Sequence, residues 1–289
     1  MFRRILMLSM ILGASAHAAT TQPATRPYEV AHDKPLDARQ DKLDETFAYV
    51  RYRVEFAGLR SRIPGFLYIP RDGRAVHPAV LLQYGSGGNK KTNYIVAIGQ
   101  MFAEAGFTVL TIDVPGKGER KDDDPRSILA GRFLETLSDY SRAIDYLESR
   151  ADVDRSRIAY VGISMGAITG ITFVAHDPRV RVMVSIVGGG NFLGWLPGKI
   201  DPQALAVART WDPYYHVQWI APRPLLMINV TNDALVPRFF GESLQRAAGE
   251  HAKKVWLETD HFFSTVDRAE VTRGIIAFVR ENLPPAASP

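Results

Sequence analysis

A serine, an aspartate and a histidine, in that chain order, are the residues of this sequence whose types and spacing could do covalent chemistry. The serine is Ser164, inside Gly162-Ile163-Ser164-Met165-Gly166. A serine hydroxyl is a poor nucleophile at neutral pH and needs a base to take its proton and an acid to orient that base. The bare G-x-S-x-G spacing says little. With Gly and Ser each at roughly 7% of average composition, it recurs by chance in about one chain of this length in ten. Its flanks carry the weight. An apolar, strand-like run at 157–161 precedes it and a helix-like run at 167–176 follows it. A strand–turn–helix of this kind forces the serine into a strained backbone conformation and stands its hydroxyl above the sheet.

His261, in Thr259-Asp260-His261-Phe262-Phe263, is the base this reading selects, on a loop after the last strand. His216 is its serious competitor. His17 lies in the N-terminal apolar segment, His32 and His77 precede the core strands, His176 ends a helix and His251 sits in a polar turn. The acid is Asp233, in Asn232-Asp233-Ala234-Leu235-Val236-Pro237, a few residues beyond an apolar strand. Turn-forming aspartates are common there, and Asp212 and Asp260 are the alternatives. Two backbone N–H groups, those of Met165 and Ser86 with Gly87 as a second choice, are expected to receive a developing oxyanion. Ser86 lies in a loop of small residues, Gly85-Ser86-Gly87-Gly88, at the end of another strand.

The elements that must position these groups follow from periodicity. Strand-like runs fall at 49–56 and 65–69, the latter two reading as an antiparallel hairpin, then at 80–84, 107–112, 157–161, 180–187, 225–230 and 253–257. Helical spacing fills 94–104, a long amphipathic stretch ending near Arg150, 167–176, 238–248 and 266–283. Short apolar strands alternating with helices imply an α/β fold, a mostly parallel sheet of about eight strands covered on both faces. Right-handed crossovers then put every strand C-terminus on one edge, where ligands bind in such sheets. Ser86, Ser164, Asp233 and His261 all fall just beyond those ends.

Composition narrows the classes. The chain has 289 residues, 46% hydrophobic and 23% charged, enough for a sizeable single core. Of the 35 basic residues, those left after Arg3 and Arg4 are set aside exceed the 31 acidic ones by only two. No basic stripe interleaved with aromatics is present, so nucleic acid is not an expected partner. Residues 1–18 read as a signal peptide, with Arg3 and Arg4 ahead of a short apolar core and Ala16-His17-Ala18 as the cleavage site. Export to the periplasm or medium is therefore expected. That apolar core is far shorter than the ~20 residues of a spanning helix, and no other stretch is long enough. With no cysteine, disulfides, thiolate catalysis and Cys-based metal sites are excluded. The triplet Asp122-Asp123-Asp124 reads as a solvated loop, and no metal is expected. Residues 19–48 read as an extended arm with a short helix near 36–43, and residues 284–289 as a tail.

The chain as a whole resembles the α/β-hydrolase superfamily, most closely its dienelactone-hydrolase and acetyl-xylan-esterase-like branch, over residues 49–283. The resemblance rests on Tyr84-Gly85-Ser86-Gly87-Gly88, Phe102-Ala103-Glu104-Ala105-Gly106-Phe107, Asp113-Val114-Pro115-Gly116-Lys117-Gly118, the segment around Ser164, and residues 232–237. It implies carboxylic-ester hydrolysis without a cofactor, on a small-molecule or carbohydrate ester. Two positions depart from the usual pattern. Tyr84 stands where the family has histidine, with a hydroxyl that could project toward substrate, and Ala167 replaces a frequent second glycine. Residues 188–222 read as a short cap insertion, whose Phe192, Trp195, Trp211 and Tyr215, together with Tyr84, are the candidate pocket residues. The same triad would also suit a prolyl-oligopeptidase-like peptidase or amidase, and the same scaffold a catalytically silent binding protein.

Overall fold

The computed structural model describes residues 26–120 and 129–285. The expected signal peptide, the acidic triplet and the end of the tail lie outside the described residues. The element order is β1 (Arg39–Glu45), β2 (Tyr49–Ala57), β3 (Arg62–Pro70), β4 (His77–Gln83), α1 (Asn93–Glu104), β5 (Thr108–Ile112), α2 (Leu129–Glu148), β6 (Val153–Ile163), α3 (Met165–His176), β7 (Val180–Ile186), α4 (Pro202–Trp211), β8 (Leu225–Asn232), α5 (Arg238–Ala248), β9 (Ala252–Asp260) and α6 (Arg268–Asn282). The strands form one sheet of nine in the order β1-β2-β3-β5-β4-β6-β7-β8-β9. β1, β2 and β3 run antiparallel at one side, and the six strands from β5 to β9 are parallel.

The period of two along each strand explains both faces. Leu81, Leu110, Ile158 and Tyr160 belong to one core with α2 and α3, through Leu137, Tyr140, Ile144 and Ile171. Their neighbours Val80, Leu82, Val109, Ala159 and Val161 belong to a second core with α1 and α6, through Ile95, Phe102, Ile275 and Val279. Strands buried on both sides have no polar face, which is why they read as continuous apolar runs. α1 shows the complementary helical stripe: its buried residues are Ile95, Gly99, Phe102 and Ala103. It stops at Gly106, whose φ of 87° suits only glycine and lets Phe107 N–H reach Phe102 O at 3.0 Å.

One expected element is corrected. Residues 39–45 are the edge strand β1, paired antiparallel with β2, and not part of a short helix near 36–43. The segment Arg-Gln-Asp-Lys-Leu-Asp-Glu is exposed almost throughout. It therefore lacks the buried alternation that marks a strand, and its charges suit an edge that must resist pairing with other chains. The residues before it are fastened to the domain. Tyr28 is buried, its ring edge-on to His176 at 6.4 Å. The fully buried Arg142 guanidinium donates to Lys34 O at 2.9 Å and Ala57 O at 3.1 Å.

Candidate active site

Ser164 sits between β6 and α3 with φ 54° and ψ −114°, outside the regions a non-glycine residue normally occupies. Strain of this kind persists only where the surroundings over-determine it. Ser164 N–H bonds to Ile186 O at 2.8 Å, continuing the β6–β7 ladder through the serine itself. Two residues later Gly166 N–H bonds to Tyr84 O at 3.0 Å, so the turn is clamped from both neighbouring strands. A Cβ on Gly162 would stand 2.6 Å from the carbonyl carbon of Gly166, and one on Gly166 2.7 Å from Tyr84 O. Both obstacles are backbone, so neither can move aside. Beneath the turn the buried Tyr160 hydroxyl donates to Gly166 O at 2.7 Å.

The acid and the base meet. His261 Nδ1 lies 2.9 Å from Asp233 Oδ1 and 2.8 Å from Oδ2, with side chains 7% and 2% exposed. An ionised carboxylate only accepts, so Nδ1 carries the proton and Nε2 is left with a lone pair. Burial works against the Asp233 charge. The His261 contact and the N–H groups of Val236 and Leu235, at 2.8 and 2.9 Å from Oδ1, outweigh it and hold the pKa below the ordinary aspartate value. Ser164 follows β6, Asp233 follows β8 and His261 follows β9, three strands whose C-termini share one edge. The Ser164 hydroxyl and His261 are not joined by a hydrogen bond in this structure. Such contacts are often long until substrate draws them together.

The two expected oxyanion donors are placed as follows. Met165 opens α3, where an N–H has no intrahelical partner. Ser86 and Gly87 form the exposed tip of a turn closed by Gly88 N–H to Gly85 O at 2.9 Å. Neither Met165 N–H nor Ser86 N–H is hydrogen-bonded within the described residues. Gly85 packs directly against the nucleophile, with an ideal Cβ there 3.1 Å from Ser164 Cβ. The loop carrying Ser86 is therefore a neighbour of the serine.

The alternatives are occupied elsewhere. His216 Nδ1 is 3.0 Å from His176 Nε2 in a buried pair packed on Trp219. Asp212, fully buried, accepts from the N–H groups of Asn191, Phe192 and Tyr214 at 2.8–3.0 Å and organises the insertion. Asp260 accepts from Phe262 and Ser264 N–H in the loop around His261.

The aromatic candidates separate. Tyr84 differs from expectation: it is 4% exposed and its hydroxyl accepts Val114 N–H at 2.9 Å, so it ties the end of β4 to the loop after β5 and does not project toward substrate. Burial accordingly pushes its pKa well above that of a free tyrosine. Trp211 packs against Phe133 of α2 and stacks on Phe192 at 5.7 Å, fastening the insertion to the core. Tyr215 stands edge-on to Tyr214 with Arg209 over its ring. Trp195 is 59% exposed and leans on Phe239 and Phe240 of α5. Phe239 and Phe240 escaped the sequence reading because they lie on a regular amphipathic helix, where aromatics read as core. Tyr94, whose hydroxyl accepts Gly85 N–H at 3.0 Å, escaped it for the same reason.

Among the described residues no group of three or more His, Asp or Glu could hold a metal ion. No described helix is long and apolar enough to cross a membrane.

Comparison with known proteins finds relatives in sequence and in fold. The model of the dienelactone hydrolase family matches residues 63–216. A putative hydrolase, YtaP, of Bacillus subtilis (strain 168) is 25% identical over 87% of this chain and 93% of its own. The esterase YjfP of Escherichia coli (strain K12) is 25% identical over 60% of this chain and 75% of its own. Among solved structures, an acetyl xylan esterase from Paenibacillus sp. R4 superposes with a TM-score of 0.72 at 18% identity, covering 87% of this chain and 90% of that one.

Proposed function

Since the chain belongs to the dienelactone hydrolase family and has the α/β-hydrolase fold, we propose that this hydrolase is a serine carboxylesterase working through an acyl-enzyme. The observation that carries the reading is the strained Ser164 on the same sheet edge as the Asp233–His261 pair.

In this reading Ser164 Oγ attacks an ester carbonyl while His261 Nε2 takes its proton. Asp233 keeps the other ring nitrogen protonated and steadies the imidazolium that forms. The carbonyl oxygen becomes negative and receives the N–H groups of Met165 and Ser86, the former also at the positive end of α3. His261 then gives its proton to the departing alcohol. Water repeats the sequence on the acyl group, releasing the acid and restoring the serine. No cofactor enters the scheme. The insertion is only a short helix and three single-turn segments, which fits small acyl groups, acetyl above all, on small-molecule or carbohydrate esters. The reading includes export, with cleavage after Ala18. Turnover of p-nitrophenyl acetate by the wild type, decline along a series of longer acyl chains, and loss of both in Ser164→Ala test it. An undiminished Ser164→Ala enzyme would refute it.

A further inference from the structure

Lys90 and Asp113 are both fully buried, yet neither belongs to the acid–base chemistry. They join two loops at the catalytic edge, one after β4 and one after β5. The Asp113 carboxylate accepts three donors: Lys90 N–H at 3.0 Å, Lys90 Nζ, and Glu119 N–H at 2.9 Å. Asp113 N–H itself is held by Pro64 O at 2.9 Å on β3. The carboxylate lies so close to Gly118, at φ 55°, that a side chain there would overlap it. Lys90 Nζ reaches a second carboxylate, Glu119, at 2.6 Å, and lies 5.4 Å from the centre of the Phe66 ring. Glu119 is in turn gripped by Arg53 at 2.7 Å.

Burying an ion pair is a poor way to gain stability, because an apolar pair of the same shape commonly does as well. What the pair supplies is position. The loop after β4 is tied at its start, where Gly85 N–H meets the Tyr94 hydroxyl at 3.0 Å, and at its end, where Lys90 meets Asp113. Asn89 N–H, between them, and Lys91 N–H, just beyond, are also bonded, to Thr92 Oγ1 and Asn89 Oδ1. Only the exposed tip, Ser86 and Gly87, is left with unbonded N–H groups, and it follows directly on Gly85, which packs against Ser164. A loop fastened at both ends with a bare tip is a donor held ready at a fixed place.

We propose that Lys90 and Asp113 are positioning residues for the oxyanion site: their buried contact sets the height of the Ser86 N–H above Ser164. The proposal deepens the esterase reading and rests on it. Charge develops on the carbonyl oxygen only in the transition state, so a displaced Ser86 N–H weakens transition-state binding and leaves ground-state binding intact.

The test uses Lys90→Met and Asp113→Asn, with Tyr94→Phe as a milder variant that releases only the other tie and keeps the question answerable if either buried substitution fails to fold. Each is compared with the wild type in kcat and KM for an acetyl ester, and in Ki for a trifluoromethyl ketone, which Ser164 converts to a tetrahedral oxyanion. Folding is checked by the unfolding midpoint. Loss of one oxyanion donor costs about 10²–10³-fold. Displacement is expected to lower kcat by about 10- to 10²-fold in the buried variants and less in Tyr94→Phe, with KM within about twofold and Ki raised in proportion to the loss of kcat/KM. Folded variants with wild-type kcat, or with KM and Ki raised alike, would overturn the proposal. If the wild type itself neither cleaves esters nor reacts with a fluorophosphonate, the esterase reading fails instead, and the two failures are distinguishable.

Discussion

His261 Nδ1 lies 2.8 and 2.9 Å from the two oxygens of Asp233, so one carboxylate holds one imidazole in a single tautomer. That relationship fixes which nitrogen can act as a base. Asp233→Asn keeps the size and most of the geometry but can present an N–H to Nδ1, which would favour the tautomer with its proton on Nε2. The expected loss in kcat is about 10⁴-fold, the size of effect seen when a triad aspartate is so replaced in another hydrolase. Steady-state kinetics and the unfolding midpoint, measured together, separate this from simple destabilisation. Because the Asp233 pKa is lowered on folding, the stability it contributes is present above the ordinary aspartate value and is lost as pH falls through the folded one.

The turn at Ser164 leaves no room for a β-carbon at either flank. Gly162→Ala would press on Gly166 and Ala167 backbone, and Gly166→Ala on Tyr84 and Gln83 backbone. Each is expected to cost about 1–3 kcal/mol and to lower activity by more than the lost stability explains, since the serine moves with the turn. Chemical denaturation beside kcat measurements checks this. Wild-type stability in either variant would contradict the packing described.

Much of this was legible in the sequence, for identifiable reasons. β4, β5, β7, most of β8 and the second half of β6 are buried on both faces and so appear as apolar runs, while β9 alternates buried with half-buried or exposed residues. Ser164, Asp233 and His261 are marked by turn residues and by their places after those runs. β1 was not legible, because an exposed charged edge strand has no buried face to leave a pattern. Nor was the Lys90–Asp113 contact: both residues appear in loops, 23 positions apart, and only the adjacency of β4 and β5 brings them together. The direction of the Tyr84 side chain was not legible either, since its hydroxyl is claimed by the backbone of Val114, a partner no local pattern announces.

The rings of the insertion are expected to divide by burial. Trp195 is largely exposed, and Trp195→Ala should shift the melting temperature little while changing KM for esters of bulkier alcohols. Trp211 packs between Phe133 and Phe192, and Trp211→Ala should cost roughly 2–4 kcal/mol by leaving a partly filled cavity. The two variants, compared by thermal unfolding and by KM across an alcohol series, check the division. Equal effects on stability would count against it.

The buried His176–His216 pair makes stability depend on pH. Burial lowers both pKa values to about 4, helped by Arg26 beside His176 and by His176 beside His216. The unfolded chain, with histidines near 6.5, binds more protons than the folded one between those values. Stability is therefore full above about pH 6.5 and declines as pH falls toward 4. The melting temperature should drop over that window, and the drop should shrink in His216→Phe. A flat profile between pH 6.5 and 4 in the wild type would contradict the assignment.

Covalent labelling reads most directly whether Ser164 is the nucleophile. Intact-mass analysis after treatment with a fluorophosphonate should show one adduct on the wild type, mapped to Ser164 by peptide sequencing, with loss of esterase activity in step with labelling. Ser164→Ala, folded by its unfolding midpoint, should take no adduct and lose turnover by about 10⁶-fold, the scale of loss found on removing a triad serine. An adduct on another residue, or a Ser164→Ala protein that hydrolyses esters as the wild type does, would contradict the account.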